Sequence, residues 1–123
     1  MNAKQLRGQT SYHAGVAAEA IVAKRYTRAG CEILAQRWRG SAGEIDLIAQ
    51  NDEGVIFIEV KKSRSHASAV AQLTPRQMQR IYGAGSEFLA TLPRGQLSDV
   101  RFDVALVDDM GRVDVIENAF MDA

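Results

Sequence analysis

The sequence predicts an α/β domain of the α+β kind, with helices packed on one sheet in the order α-β-β-β-α-β-β. Three observations carry that prediction. Apolar residues recur at helical spacing near the N-terminus and again after Thr74. Short runs with strand character lie between and after these two stretches. The chain has 123 residues, enough for one domain with a core that needs neither disulfides nor a structural metal.

Residues 1–11 are polar and read as flexible. A helix is expected over about 12–29, where Gly15, Ala18, Val22, Tyr26 and Ala29 share a face and Gly30 supplies the stop. Three strands follow: 32–38, 43–50 and 54–62. The segment Asn51-Asp52-Glu53-Gly54 reads as the hairpin loop between the last two. The Ala/Ser-rich stretch 62–73 reads as a mobile loop. Thr74 can cap a second helix and Pro75 suits its first position. Met78, Ile81, Tyr82, Gly85, Phe88, Leu89 and Leu92 form its stripe, and Pro93 and Gly95 end it. Strands at 100–108 and 112–117 close the chain, with Met110-Gly111 at their turn.

Composition is that of an ordinary globular protein, with 46% hydrophobic and 24% charged residues. No apolar run is long enough to span a bilayer, and the first residues lack a signal-peptide core. A cytoplasmic protein without a membrane partner is therefore expected. The single cysteine, Cys31, suits a reducing compartment and reads as a small packing residue. Formal net charge is zero, but Lys and Arg outnumber Asp and Glu 13 to 9 over residues 1–99, and the ratio is 2 to 6 over 100–123. Nucleic-acid affinity would have to come from local patches.

The chemistry concentrates in Gly43-Glu44-Ile45-Asp46-Leu47-Ile48-Ala49 and Val55-Ile56-Phe57-Ile58-Glu59-Val60-Lys61. Side chains alternate faces along a strand. Glu44, Asp46 and Ile48 then share one face, as do Val55, Phe57, Glu59 and Lys61. Ile45, Leu47, Ala49, Ile56, Ile58 and Val60 form the apolar reverse. A four-residue loop pairs Gln50 with Val55, so Ile48 would face Phe57, Asp46 would face Glu59 and Glu44 would face Lys61. Opposed carboxylates destabilise a sheet unless something offsets them. Hard oxygen donors suit Mg²⁺ or Mn²⁺. Solvent-facing charges on a half-exposed hairpin are the competing explanation. Glu19, within the apolar stripe of the first helix, is either a third carboxylate of the same centre or an early-helix acid.

Taken together, Gly15-x-x-Ala18-Glu19, Gln36-Arg37-Trp38-Arg39, the two strand motifs, Leu73-Thr74-Pro75-Arg76 and Arg101-Phe102-Asp103-Val104 resemble the YraN family of small bacterial proteins. That family is similar in turn to Holliday-junction-resolvase-like nucleases with the PD-(D/E)xK core. The resemblance covers about residues 12–108. It implies a restriction-endonuclease-like core in which Asp46, Glu59 and Lys61 form the catalytic set. Glu19 corresponds to the acid of the first helix, and Asp46, Glu59 and Glu19 to the metal ligands. The chain departs from the family at Ala18, where Gly is usual, at Lys62-Ser63, where Thr-Arg is usual, and at Gln77, where Lys is frequent.

The functional expectation is a metal-dependent DNA endonuclease, acting on branched or single-stranded DNA, with Mg²⁺ or Mn²⁺ as cofactor. A non-catalytic nucleic-acid-binding module and a protein-interaction domain are the alternatives, and a homodimer is left open. Arg37, Arg39, Lys62 and Arg64 are the expected nucleic-acid contacts. Trp38 reads as core or rim rather than a base-stacking platform. Gly83-Ala84-Gly85 reads as helix packing, and His13 and His66 lack metal-ligand spacing.

Overall fold

The structure, a computed structural model, describes residues 3–62, 74–95 and 99–119, with side chains in the first helix from Val16 onward. The elements are α1 (Ala3–Arg28), β1 (Glu32–Arg39), β2 (Glu44–Asn51), β3 (Gly54–Lys62), α2 (Pro75–Leu89), β4 (Val100–Val107) and β5 (Val113–Ile116). The expected order is present. Residues 63–73, over which a mobile loop is expected and which include Arg64 and His66, lie outside the described residues, as does the side chain of His13.

Helix α1 begins at Ala3 rather than near residue 12. Its first turns are polar but made of good helix formers, and Gly8 alone costs about 1 kcal/mol there. Before Tyr12 these turns carry only Ala3 and Leu6, too few for apolar periodicity to find them. The helix ends as expected at Gly30 (φ 91), where Cys31 N donates to Tyr26 O and Gly30 N to Thr27 O. That pair of bonds is the Schellman pattern, which needs a residue comfortable in the left-handed region.

The five strands stand in the order β1-β2-β3-β4-β5. β3 and β4 run parallel and every other neighbouring pair is antiparallel. A parallel pair needs a crossover, and α2 lies in that connection. Thr74 caps α2 by accepting from Gln77 N at 3.1 Å.

Each face of the sheet is covered by one helix. Ile48, Phe57, Val104 and Leu106 pack against Ile81, Ala84, Phe88 and Leu89 of α2. Leu47, Ala49, Ile56, Ile58 and Ala105 pack against Ala18, Val22 and Tyr26 of α1. At Gly85 α2 lies close on the sheet, because a Cβ there would sit 3.2 Å from the Phe57 ring. Gly83-Ala84-Gly85 is thus a packing feature.

One expected face is corrected. Ile45 packs with Ile48 and Phe57 on the α2 side, not with Leu47 and Ala49. Strict alternation fails because β1 is irregular. A bulge lies between Ile33 and Ala35, and Arg37 adopts φ 50. Register survives on both sides of Arg37, with Gln36 opposite Leu47 and Trp38 opposite Ile45. Trp38, which follows Arg37, packs like Ile45 on the α2 side. The two strands therefore change phase together.

Candidate metal centre

The phase change falls beside the acidic motif. The β2–β3 ladder runs from Asn51 opposite Gly54 to Leu47 opposite Ile58, with Gln50 facing Val55 and Ile48 facing Phe57 as the loop length required. It stops at Leu47 and Ile58, so the expected backbone pairs Asp46–Glu59 and Glu44–Lys61 do not form. Instead Asp46 Oδ2 accepts a hydrogen bond from Val60 N at 2.8 Å. A side-chain carboxylate here takes the amide that a continuing ladder would give to a backbone carbonyl.

This fork sets the Asp46 and Glu59 carboxyl groups close enough for the charge of Asp46 to act on Glu59. Burial raises the pKa of Asp46, and the charges of Glu19 and Glu44 add to that rise. The Val60 amide and Lys61 oppose it. Glu59 is pushed up to about 7, first by burial and then by the Asp46 charge, against the pull of Lys61. The Glu59 side chain is only 11% exposed. The solvent-facing explanation therefore does not describe this pair: these are half-buried, mutually repelling acids.

Lys61 Nζ lies 3.3 Å from Glu59 Oε1. The expected Lys61–Glu44 partnership is not formed; Glu44 instead meets Arg39 at 3.4 Å on the surface. Gln77, in the first turn of α2, donates Nε2 to Glu59 Oε1 at 2.9 Å. Sequence reasoning saw in Gln77 only a lost charge. Its amide contact joins residues 18 apart on different elements, and no local pattern could have found it.

Glu19 faces the sheet, and its Oε2 accepts from Arg37 Nε at 2.8 Å. Among the described residues no group of three His, Cys, Asp or Glu side chains is gathered as a metal cage. Two carboxylates, Asp46 and Glu59, stand together, and Glu19 is paired with Arg37 while its charge acts on Asp46. Arg39 is 80% exposed and Lys62 is exposed. Arg37 points at Glu19, and Arg64 lies outside the described residues. Trp38 packs edge-on to Phe88, with ring centroids 5.5 Å apart.

A second polar centre lies at the Arg101-Phe102-Asp103-Val104 motif of β4. Asp103 is fully buried. Its carboxylate accepts from Tyr26 Oη (2.7 Å), Arg101 Nε (2.9 Å), Arg101 Nη2 (3.0 Å) and Asn118 N (3.2 Å). Every oxygen is satisfied, which marks a structural joint. The signal for half of it was present, since Arg101 and Asp103 are two apart and share a strand face. Cys31 is half-buried, and burial raises its thiol pKa, so it is no thiolate nucleophile.

The Asp46–Glu59 pair fits a hard divalent cation. Both donors are carboxylate oxygens, the ligand type Mg²⁺ and Mn²⁺ prefer, and a cation between them would relieve their repulsion. Among the described residues no helix is long and apolar enough to cross a membrane.

Comparison with known proteins agrees with the motifs. The model of the uncharacterised protein family UPF0102 matches residues 18–107. A UPF0102 protein of Cereibacter sphaeroides strain KD131 is 64% identical over 115 residues, covering 94% of this chain and 98% of its own length. One from Ruegeria pomeroyi is 51% identical over 120 residues, covering 98% of each chain. One from Dinoroseobacter shibae is 42% identical over 119 residues, covering 97% of this chain and 89% of its own. The chain belongs to the UPF0102 family, in agreement with its YraN-like motifs.

Proposed function

We propose that this member of the UPF0102 family is a divalent-metal-dependent DNA endonuclease that hydrolyses phosphodiester bonds at Asp46, Glu59 and Lys61. One observation carries the reading. The fold holds two half-buried carboxylates close together at a fork in its sheet, an arrangement that costs stability unless a cation belongs there.

Asp46 and Glu59 would hold Mg²⁺ or Mn²⁺. A bound divalent ion supplies Lewis acidity to the phosphate and lowers the pKa of water. Val60 N fixes the Asp46 carboxylate, and Gln77 fixes that of Glu59. Lys61 shares the Glu59 face and brings an ammonium 3.3 Å from the Glu59 carboxylate, where it can stabilise charge developing on the phosphate or orient the attacking water. Arg39, Lys62 and Arg64 would contact the DNA backbone. The resemblance points to branched or single-stranded DNA as substrate.

A titration of Mn²⁺ into wild type and an Asp46→Ala/Glu59→Ala double variant tests the centre. Wild type should bind and the double variant should not; equal affinity sinks the reading. In the same series Lys61→Met should bind Mn²⁺ normally but lose about 100-fold or more in cleavage of a panel of linear, single-stranded, flapped and four-way DNA. A non-catalytic DNA-binding module is the second reading. Gln77 favours it, because the chain uses a neutral amide where relatives of this type often bring a lysine. It would gain if wild type binds Mn²⁺ and DNA but cuts nothing on the panel.

A further inference from the structure

Arg37 is the residue at the centre that alternation does not explain. Its φ of 50 lies in the left-handed region, which costs a non-glycine residue on the order of 1 kcal/mol or more. Pairing does not require it, since Gln36 and Trp38 keep register with Leu47 and Ile45 on either side. The irregularity accompanies a side chain that crosses to α1 and donates Nε to Glu19 Oε2 at 2.8 Å. Side-chain exposure is 35% for Arg37 and 13% for Glu19. The register that sets Gln36 opposite Leu47 and Trp38 opposite Ile45 places Arg37, and with it the bound Glu19, beside Asp46, on which the Glu19 charge acts.

Apart from the more exposed Glu44–Arg39 pair, three carboxylates and two cations share this end of the sheet. Lys61 sits on Glu59 and Arg37 on Glu19. We propose that Arg37 is a built-in counterion that occupies Glu19 and limits the centre to one divalent ion, held by Asp46 and Glu59. The inference rests on the metal reading above and narrows it. With Arg37 and Lys61 in place the five groups carry one formal negative charge. One divalent ion leaves the centre net positive, which suits a phosphodiester. A second would have to displace a guanidinium from its carboxylate and place two dications beside two other cations, at a Coulomb cost that grows as the site excludes water. Arg37 is thus a positioning residue, acting through Glu19.

The test counts ions. Mn²⁺ bound per chain is measured by electron paramagnetic resonance titration, with calorimetry for affinity. Wild type should bind one ion. Glu19→Gln should also bind one, with affinity changed by no more than about threefold. Arg37→Met frees the third carboxylate and should bind two. Arg37→Lys keeps a cation at the position and should return to one, a rescue that a merely structural role would not produce. Adding Glu19→Gln to Arg37→Met should also return the count to one. Two ions in wild type, a loss of tenfold or more in affinity for Glu19→Gln (about 1.4 kcal/mol), or a single ion in Arg37→Met would each overturn this inference while leaving the Asp46–Glu59 centre standing. No Mn²⁺ bound by wild type would overturn the centre, and the inference with it.

Discussion

At Glu59, burial and the neighbouring Asp46 carboxylate both oppose ionisation, and Lys61 offsets them only in part. The folded-state pKa near 7 stands above the ordinary 4.5. The folded chain thus holds this proton to higher pH than the unfolded chain does. Stability from the group is present below the unfolded value and is lost as pH rises through the folded one. Asp46 shifts in the same direction. In chelator, the melting temperature should fall between about pH 5 and about pH 8, by an amount worth on the order of 2 kcal/mol. Glu59→Gln should flatten that slope and melt above wild type at the alkaline end. Parallel melting profiles for the two proteins would remove the strain argument. Asp46, Glu59 and Lys61 were legible as candidates because strand alternation and loop length are local properties. Gln77 was not, because its contact with Glu59 depends on how α2 lies on the sheet.

The elements are joined by polar contacts at several points, and the most buried is Asp103. It ties α1 through Tyr26, the start of β4 through Arg101 and the segment after β5 through Asn118 N. Arg25 adds a bond from α1 to Val113 O at 3.2 Å. Removing the Asp103 carboxylate would leave a guanidinium, a phenol and an amide without their acceptor. Asp103→Ala should therefore cost about 3–5 kcal/mol in urea unfolding. Tyr26→Phe removes one neutral donor and should cost only about 1 kcal/mol. Equal losses for the two would mean that packing, and not the ionic joint, dominates. The seven elements were legible, and β2–β3 register followed from a loop of fixed length. The side of the sheet on which Ile45 lies was not. It depends on an arginine adopting the left-handed region, which sequence disfavours, with its side chain bonded to Glu19 of another element.

For the molecule as a whole, zero net charge leaves no long-range attraction to nucleic acid, so affinity must be local. The acidic excess after residue 99 includes Asp114 and Glu117, on or just beyond edge strand β5. β3, which carries the proposed centre, ends in exposed Lys62, and exposed Arg39 ends β1. A phosphate contact releases condensed counterions, so each one adds close to one unit to the salt dependence of binding. The four basic residues expected to bind are not equivalent in the fold. Arg37 is spent on Glu19, whereas Arg39 meets Glu44 only loosely at 3.4 Å. Replacing Arg39, Lys62 and Arg64 with Ala should lower the slope of log affinity against log salt by up to about three. Adding Arg37→Ala should change that slope by much less than one further unit. If the triple variant keeps the wild-type slope, the binding face lies elsewhere on the molecule. If wild type shows no salt-dependent DNA binding at all, nucleic acid is not its partner, and the acidic C-terminal segment becomes the place to look for a protein one.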